Sequence, residues 1–237
     1  MIAAGLAAAV AGLIPVAALA GVVVSASGPS AGSFPVGKKI GNSDPISLRA
    51  GDTLTVLDGQ GTRVLRGAGT FSLDQQAGPS RRSTFAVLTE QRSAQRMRTG
   101  AVRGAGDDGP KSAPNLWYVD VGHPGNVCLA STERVRLWRD SITGDATYSL
   151  STDGSVRETV TFADGEMLAP LDTSVLPVAD GTVYHLAGPG GAAMGDLHFT
   201  VLPSVSAEPE DLAQQLIAHG CTQQLEVLSS AMLVTEG

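Results

Sequence analysis

Asp-Gly and Gly-rich dipeptides recur at short intervals between runs of alternating apolar and polar residues: Gly51-Asp52, Asp58-Gly59, Gly67 to Gly69, Asp153-Gly154, Asp164-Gly165 and Asp180-Gly181. Aspartate ties down its own backbone and glycine accepts a positive φ, so such a pair between two strand-like runs reverses the chain into a hairpin. A chain reversed this often has no room for long helices through its middle. The pattern predicts an all-β protein with minor α: a small N-terminal β module, an Arg-rich helical connector, and a C-terminal β-sandwich-like domain with a helical tail. The 29 Gly and 13 Pro among 237 residues fit that reading, since every short strand needs a turn at each end.

The N-terminal module covers residues 21–80, with strands read at 22–24, 46–48, 53–57, 62–66 and 70–73 in a meander. Alternation at Leu54, Val56, Val64 and Leu65 gives this sheet one dry face. The connector covers 81–114: a helix over 83–97 with Phe85, Leu88 and Met97 inward, then a linker over 104–114. Arg81, Arg82, Arg92, Arg96, Arg98 and Arg103 cluster here. On an otherwise acidic chain such a patch docks an acidic partner; a solvated helix face is the plainer alternative.

Residues 115–205 carry strand patterns at 116–121, 126–130, 134–139, 146–150, 157–162, 182–186 and 197–202, the spacing of a β-sandwich. Trp117 and Trp138 are assigned to its core. The tail, 206–237, opens with Ser206 and the acidic turn Glu208-Pro209-Glu210-Asp211, and Leu212, Leu216 and Ile217 form an apolar stripe before His219-Gly220. Residues 223–233 fit either a second helix or a strand.

Residues 1–20 contain no charged side chain and end Ala18-Leu19-Ala20, the small-x-small pattern of a signal peptide cleaved before Gly21. The rival is a retained anchor, because residues 2–24 are long enough to cross a bilayer, although Pro15 interrupts them. Export places Cys128 and Cys221 in an oxidising compartment, where a disulfide between them is expected. A pair of buried free thiols is the alternative. With no CxxC pair, thiol redox chemistry and a cysteine metal site are not expected.

The net charge of −7 argues against nucleic acid as a partner, and 4% aromatic content argues against sugar-stacking platforms. Gly28-Pro29-Ser30-Ala31-Gly32 has the spacing of a nucleophile elbow, which needs a strand, a sharp turn and a helix; Pro29 and Pro35 spoil the helix, so a plain turn is expected. His123, His185, His198 and His219 include no local metal-binding pair. His185 and His198 stand on neighbouring strands and are read as structural. Gly188-Pro189-Gly190-Gly191 lacks the Lys-Ser or Lys-Thr of a phosphate loop and reads as a hairpin loop. Gly51-Asp52 and Asp107-Asp108 lack the spacing of a calcium loop. No catalytic residue, cofactor or metal is assigned.

The run Ile46-Ser47-Leu48-Arg49-Ala50-Gly51-Asp52-Thr53-Leu54-Thr55-Val56-Leu57-Asp58-Gly59, followed by Gly61-Thr62-Arg63-Val64-Leu65-Arg66-Gly67-Ala68-Gly69-Thr70-Phe71, resembles the FecR-like β module of bacterial envelope proteins. The resemblance, over about residues 22–73, implies an extracytoplasmic, non-catalytic module; the anti-sigma role of FecR itself is not expected. The chain thus reads as an exported, non-enzymatic envelope protein, periplasmic or extracellular, that binds, scaffolds or self-assembles. Its expected partner is an envelope protein or surface polymer, or further copies of itself. The alternatives are a periplasmic hydrolase or carbohydrate-binding protein acting on cell-wall polymer, and a membrane-anchored sensor that keeps residues 2–24.

Overall fold

The computed structural model describes residues 20–74, 80–90 and 113–234. The signal-like segment up to residue 19, Arg92, Arg96, Met97, Arg98, Arg103 and the linker before residue 113 lie outside the described residues. The described chain is mostly β-sheet with three short α-helices, as its turn pattern predicts.

Six strands build the N-terminal unit: β1 (Ala20–Ser27), β2 (Lys39–Gly41), β3 (Ile46–Leu48), β4 (Thr53–Asp58), β5 (Gly61–Arg66) and β6 (Gly69–Phe71). They do not form a simple meander. β1 lies between β2 and β4 in an antiparallel sheet ordered β2-β1-β4-β5, while β3 and β6 pair separately. Nor does the sheet have only one dry face. Val23, Ile40, Leu54, Val56 and Leu65 pack under the β3–β6 pair with Ile46 and Leu73, whereas Val22, Val24 and Leu57 point the opposite way into a core made with the helices.

Two of the predicted hairpin turns close by different means. Between β4 and β5 the register pairs Asp58 with Gly61, and the Asp58 Oδ1 accepts the N–H groups of Gln60 (2.8 Å) and Gly61 (3.0 Å). Between β10 (Ala146–Thr152) and β11 (Ser155–Phe162), Asp153 and Gly154 both take positive φ, 53° and 75°, the mirror-image turn that matches the twist of the strands.

The remaining strands are β7 (Tyr118–Asp120), β8 (Asn126–Leu129), β9 (Arg136–Trp138), β12 (Leu168–Pro170), β13 (Val183–Ala187) and β14 (Ala193–Val201). A five-stranded sheet, β11-β10-β13-β14-β8, faces a three-stranded one, β12-β9-β7. Val119, Leu137, Leu150, Phe162, Tyr184 and Phe199 fill the space between them. Neither tryptophan lies there. Trp117 packs with the helices, and Trp138 lies with Tyr118 and Ala113 in a separate cluster. Strand alternation explains the second case, since Leu137 points into the sandwich and its neighbour must point away.

Helix α1 (Arg82–Thr89) is shorter than the predicted 83–97, because Glu90 is extended at φ −69° and ψ 123°. The carbonyls that would continue the helix are already taken. Leu88 accepts from the Leu116 N–H (3.0 Å), Thr89 from the Trp117 indole (2.7 Å) and Glu90 from the Asn115 amide (2.9 Å). These bonds satisfy the orphan acceptors of a helix end and anchor the return of the chain.

The tail carries two helices, α2 (Pro209–Ala218) and α3 (Thr222–Ala231), joined by a short turn at 219–221. Proline stands in the first turn of α2, where its missing N–H costs nothing, and Glu210 and Asp211 follow it. Leu212, Leu216, Leu225 and Leu228 bury against Val22, Leu57, Phe85 and Trp117. The tail therefore packs against both β units and not against the sandwich alone. Among the described residues, no helix is long and apolar enough to cross a membrane.

Candidate functional site

Cys128 on β8 and Cys221, at the start of α3, form the expected disulfide across a separation of 93 residues, with both side chains fully buried. Gln224, one turn into α3 and 5% exposed, reinforces the junction. Its Oε1 accepts the Cys128 N–H, and its Nε2 donates to the carbonyls of Cys128 and Leu116, each at 2.7 Å. One amide thus replaces a neighbouring strand along β8. Sequence reading missed Gln224; a polar residue at an inward helical spacing, three after Cys221, was the only signal.

Beside this junction lies a small cleft between the end of β7, the start of β8 and the first turn of α3, lined by Tyr118, Asp120, His123, Asn126 and Gln223. Asp120 is buried, and both its oxygens are engaged. Oδ1 accepts the Gly122 N–H at 2.9 Å, and Oδ2 accepts from His123 Nδ1 at 3.0 Å. A carboxylate only accepts, so Nδ1 carries the proton of that bond and Nε2 faces away from it. Burial pushes the Tyr118 phenol above its ordinary pKa, with the nearby Arg136 charge opposing, so the hydroxyl stays a neutral donor.

The arginines singled out for docking divide. Arg81 belongs to the fold: its N–H donates to the Gln60 carbonyl at 2.8 Å, and its Nε is buried without a hydrogen-bond partner. Arg82 is exposed, 4.0 Å from the Glu208 carboxylate, on the rim of an open groove of about 500 Å³ lined by Phe85, Ala86, Val205, Ala207 and Pro209. Arg92, Arg96, Arg98 and Arg103 lie outside the described residues. Two arginines outside the cluster are buried instead. Arg63 pairs with Asp58 at 3.0 Å and donates to the Leu73 carbonyl; Arg139 donates to the carbonyls of Glu166, Gly144 and Ala163.

The remaining motifs resolve as structure. Ser30 of the elbow-like run is followed by a 3₁₀ turn, Ala31–Ser33, and its N–H donates to the buried Asp52 at 2.9 Å. The same carboxylate accepts the Arg49 N–H at 2.5 Å, and the Ser30 hydroxyl foremost holds its pKa below the ordinary value. Asp52 is thus the clasp between two loops. His185 faces Asp196 across β13 and β14 and bonds it at 2.7 Å, while His198 faces Val183, so the two histidines are not opposite each other. Among the described residues no group of three His, Cys, Asp or Glu side chains is placed to hold a metal. Gly188 to Gly191 forms the expected hairpin loop, closed by the Gly188 N–H on the Ala192 carbonyl at 2.7 Å.

Set against known families, curated proteins and solved structures, the chain matches no family model, no curated protein and no solved structure.

Proposed function

We propose that this chain is an exported, non-enzymatic component of a bacterial cell envelope that holds an envelope protein or surface polymer. Residues 22–73 act as a FecR-like β module, and the helices join that module rigidly to the sandwich. The observation that carries the reading is the buried Cys128–Cys221 disulfide. Such bridges form and persist outside the reducing cytosol, and this one fastens the helical joint to β8. The apolar run ending Ala18-Leu19-Ala20 supports the same route. A chain beginning at Gly21 loses only the Ala20–Gly41 pairing of β1 and keeps the rest.

The docking surface in this reading is the Arg82 rim of the groove, continued in sequence by Arg92, Arg96, Arg98 and Arg103. Guanidinium groups beside an apolar floor suit an acidic partner that also buries aliphatic side chains. Intact-mass measurement on the protein recovered from cells tests the export: a disulfide-bonded chain starting at Gly21 is expected, and a chain retaining its first residues supports the anchored reading instead. Crosslinking in the native envelope tests the docking. Joint replacement of Arg82, Arg92, Arg96 and Arg98 by Ser is expected to abolish the main crosslink; an unchanged pattern defeats the docking surface.

A further inference from the structure

The cleft at the start of α3 combines three features that point to one ligand chemistry. Tyr118 is nine-tenths buried, lines the cleft, and has a hydroxyl without a hydrogen-bond partner among the described residues. The hydroxyl is not one of the buried unpaired atoms of the described residues: the ring is covered while the oxygen keeps some exposure, so it can donate to a group that enters the cleft. His123 is half-exposed beside it, oriented by the buried Asp120, whose own acceptors are consumed. That arrangement leaves Nε2 as the free face of the ring. The third feature is the ten-residue helix α3 itself, whose residues Gln223 and Gln224 line the cleft. The Thr222 N–H is spent on the Gly220 carbonyl, but the N–H groups of the following two residues have no acceptor within the helix. Their partial positive charge favours an anion.

We propose that this cleft binds a carboxylate: an N–H at His123 Nε2 and the Tyr118 hydroxyl donate to its oxygens, and the first turn of α3 supplies the positive potential. The size argues for a carboxylate over a bulkier tetrahedral anion. The cleft holds about 20 Å³, room for one or two water-sized groups. Asp120 does not repel the ligand outright, because its charge is already bonded to His123 and to the Gly122 N–H. The identity of the ligand rests on the proposed envelope-binding role, in which the carboxylate belongs either to a peptide C-terminus or to an acidic sugar.

The test uses the full disulfide-bonded chain, on the acid side of neutrality, with histidine side-chain NMR and calorimetric titration. The probes are N-acetyl-alanyl-alanine, its C-terminal amide, and glucuronate. Both free carboxylates are expected to shift the His123 resonances saturably, the amide is expected not to, and the tighter of the two identifies the source. His123→Gln is expected to weaken binding about tenfold, the worth of a charge-assisted hydrogen bond. Tyr118→Phe keeps the ring packing and is expected to cost about three- to tenfold, the worth of a neutral one. An amide that binds as well as the acid, no saturable shift from either carboxylate, or Tyr118→Phe binding like the parent overturns the inference. Export and envelope crosslinks measured on the His123→Gln chain keep the two readings apart: if they persist while carboxylate binding never occurs, only the cleft assignment fails.

Discussion

The four-stranded sheet is antiparallel throughout and the five-stranded sheet is antiparallel except where β8 runs parallel to β14, yet the first is dry on both faces and the second on one. On β1 and β4, Val22, Val24 and Leu57 turn away from the β3–β6 pair and bury under α2 and α3. The corresponding outward positions of β10, β11, β13 and β14 are Thr147, Thr159, Thr161, His185 and Asp196, all exposed. Outward side-chain chemistry therefore decides where the helical tail settles. It lies on the apolar back of the first sheet and meets the second at β8, where the disulfide and Gln224 hold it. The small unit gains a second core from the tail, while the sandwich holds its own core between two sheets.

The largest test of that comparison removes the staple. Replacing Cys128 and Cys221 together by Ser opens a loop of 93 residues and is expected to cost about 4–5 kcal/mol on the loop-entropy account. Hydrogen exchange on that variant is expected to show protection lost from β1, β4 and the helices before it is lost from β10 and β13. Simultaneous loss in both units would mean that the sandwich also depends on the tail. Next in size is Leu57→Ala, which leaves a cavity between the sheet and α2 and is expected to cost about 3 kcal/mol in urea unfolding. A cost below about 1 kcal/mol would show that the back of the first sheet is not a true core.

Fold class was legible because turn chemistry is local. Asp153-Gly154 and Asp58-Gly59 both end strands at the expected places, although the second does so through the Asp58 carboxylate and not through paired positive φ. The double-sided burial of β4 was not legible. Leu54, Val56 and Leu57 announce strand and core, but the cover on Leu57 comes from residues more than 150 positions later, which no local pattern reports. Smaller but still non-local separations hid the end of α1, terminated by Leu116, Trp117 and Asn115, and the role of Gln224. In the cleft, Tyr118 and Asp120 look like ordinary alternating strand residues; His123 follows three residues after Asp120, but only the fold brings α3 beside them.

Closing the first sheet also buries a carboxylate. Glu210, in the first turn of α2, is 9% exposed against the Gly59 turn, and its Oε2 has no hydrogen-bond partner. Desolvation raises its pKa, with Glu208, Asp211 and Asp58 adding like charge. A carboxyl raised in the folded state binds its proton more tightly there than in the unfolded chain. Its contribution is thus fully present below the ordinary carboxylate pKa and is lost as pH rises through the elevated one. Glu210→Gln is expected to stabilise the protein near neutrality by about 1 kcal/mol, by relieving a buried unpaired charge, and to flatten stability between acid and neutral pH. Denaturant midpoints measured at both pH values check the sign; a variant less stable near neutrality would mean that the carboxylate has a partner.

The smallest expected effect lies on the open face of the second sheet. Thr147 and Thr161 stand opposite each other on β10 and β11, with their hydroxyls 3.0 Å apart and both residues exposed. Their hydrogen bond competes with water, so Thr161→Ala loses little beyond the β-branched fit of one cross-strand pair, about 0.5 kcal/mol. The comparison makes this a sharp expectation, because Leu57→Ala removes a side chain from the equivalent, outward side of the other sheet at several times the cost. Thermal midpoints of the two variants, measured side by side, read the ratio directly. A Thr161→Ala loss approaching that of Leu57→Ala would require something to lie over the face in solution, and the contrast between a covered sheet and an open one would then be a property of the isolated chain alone.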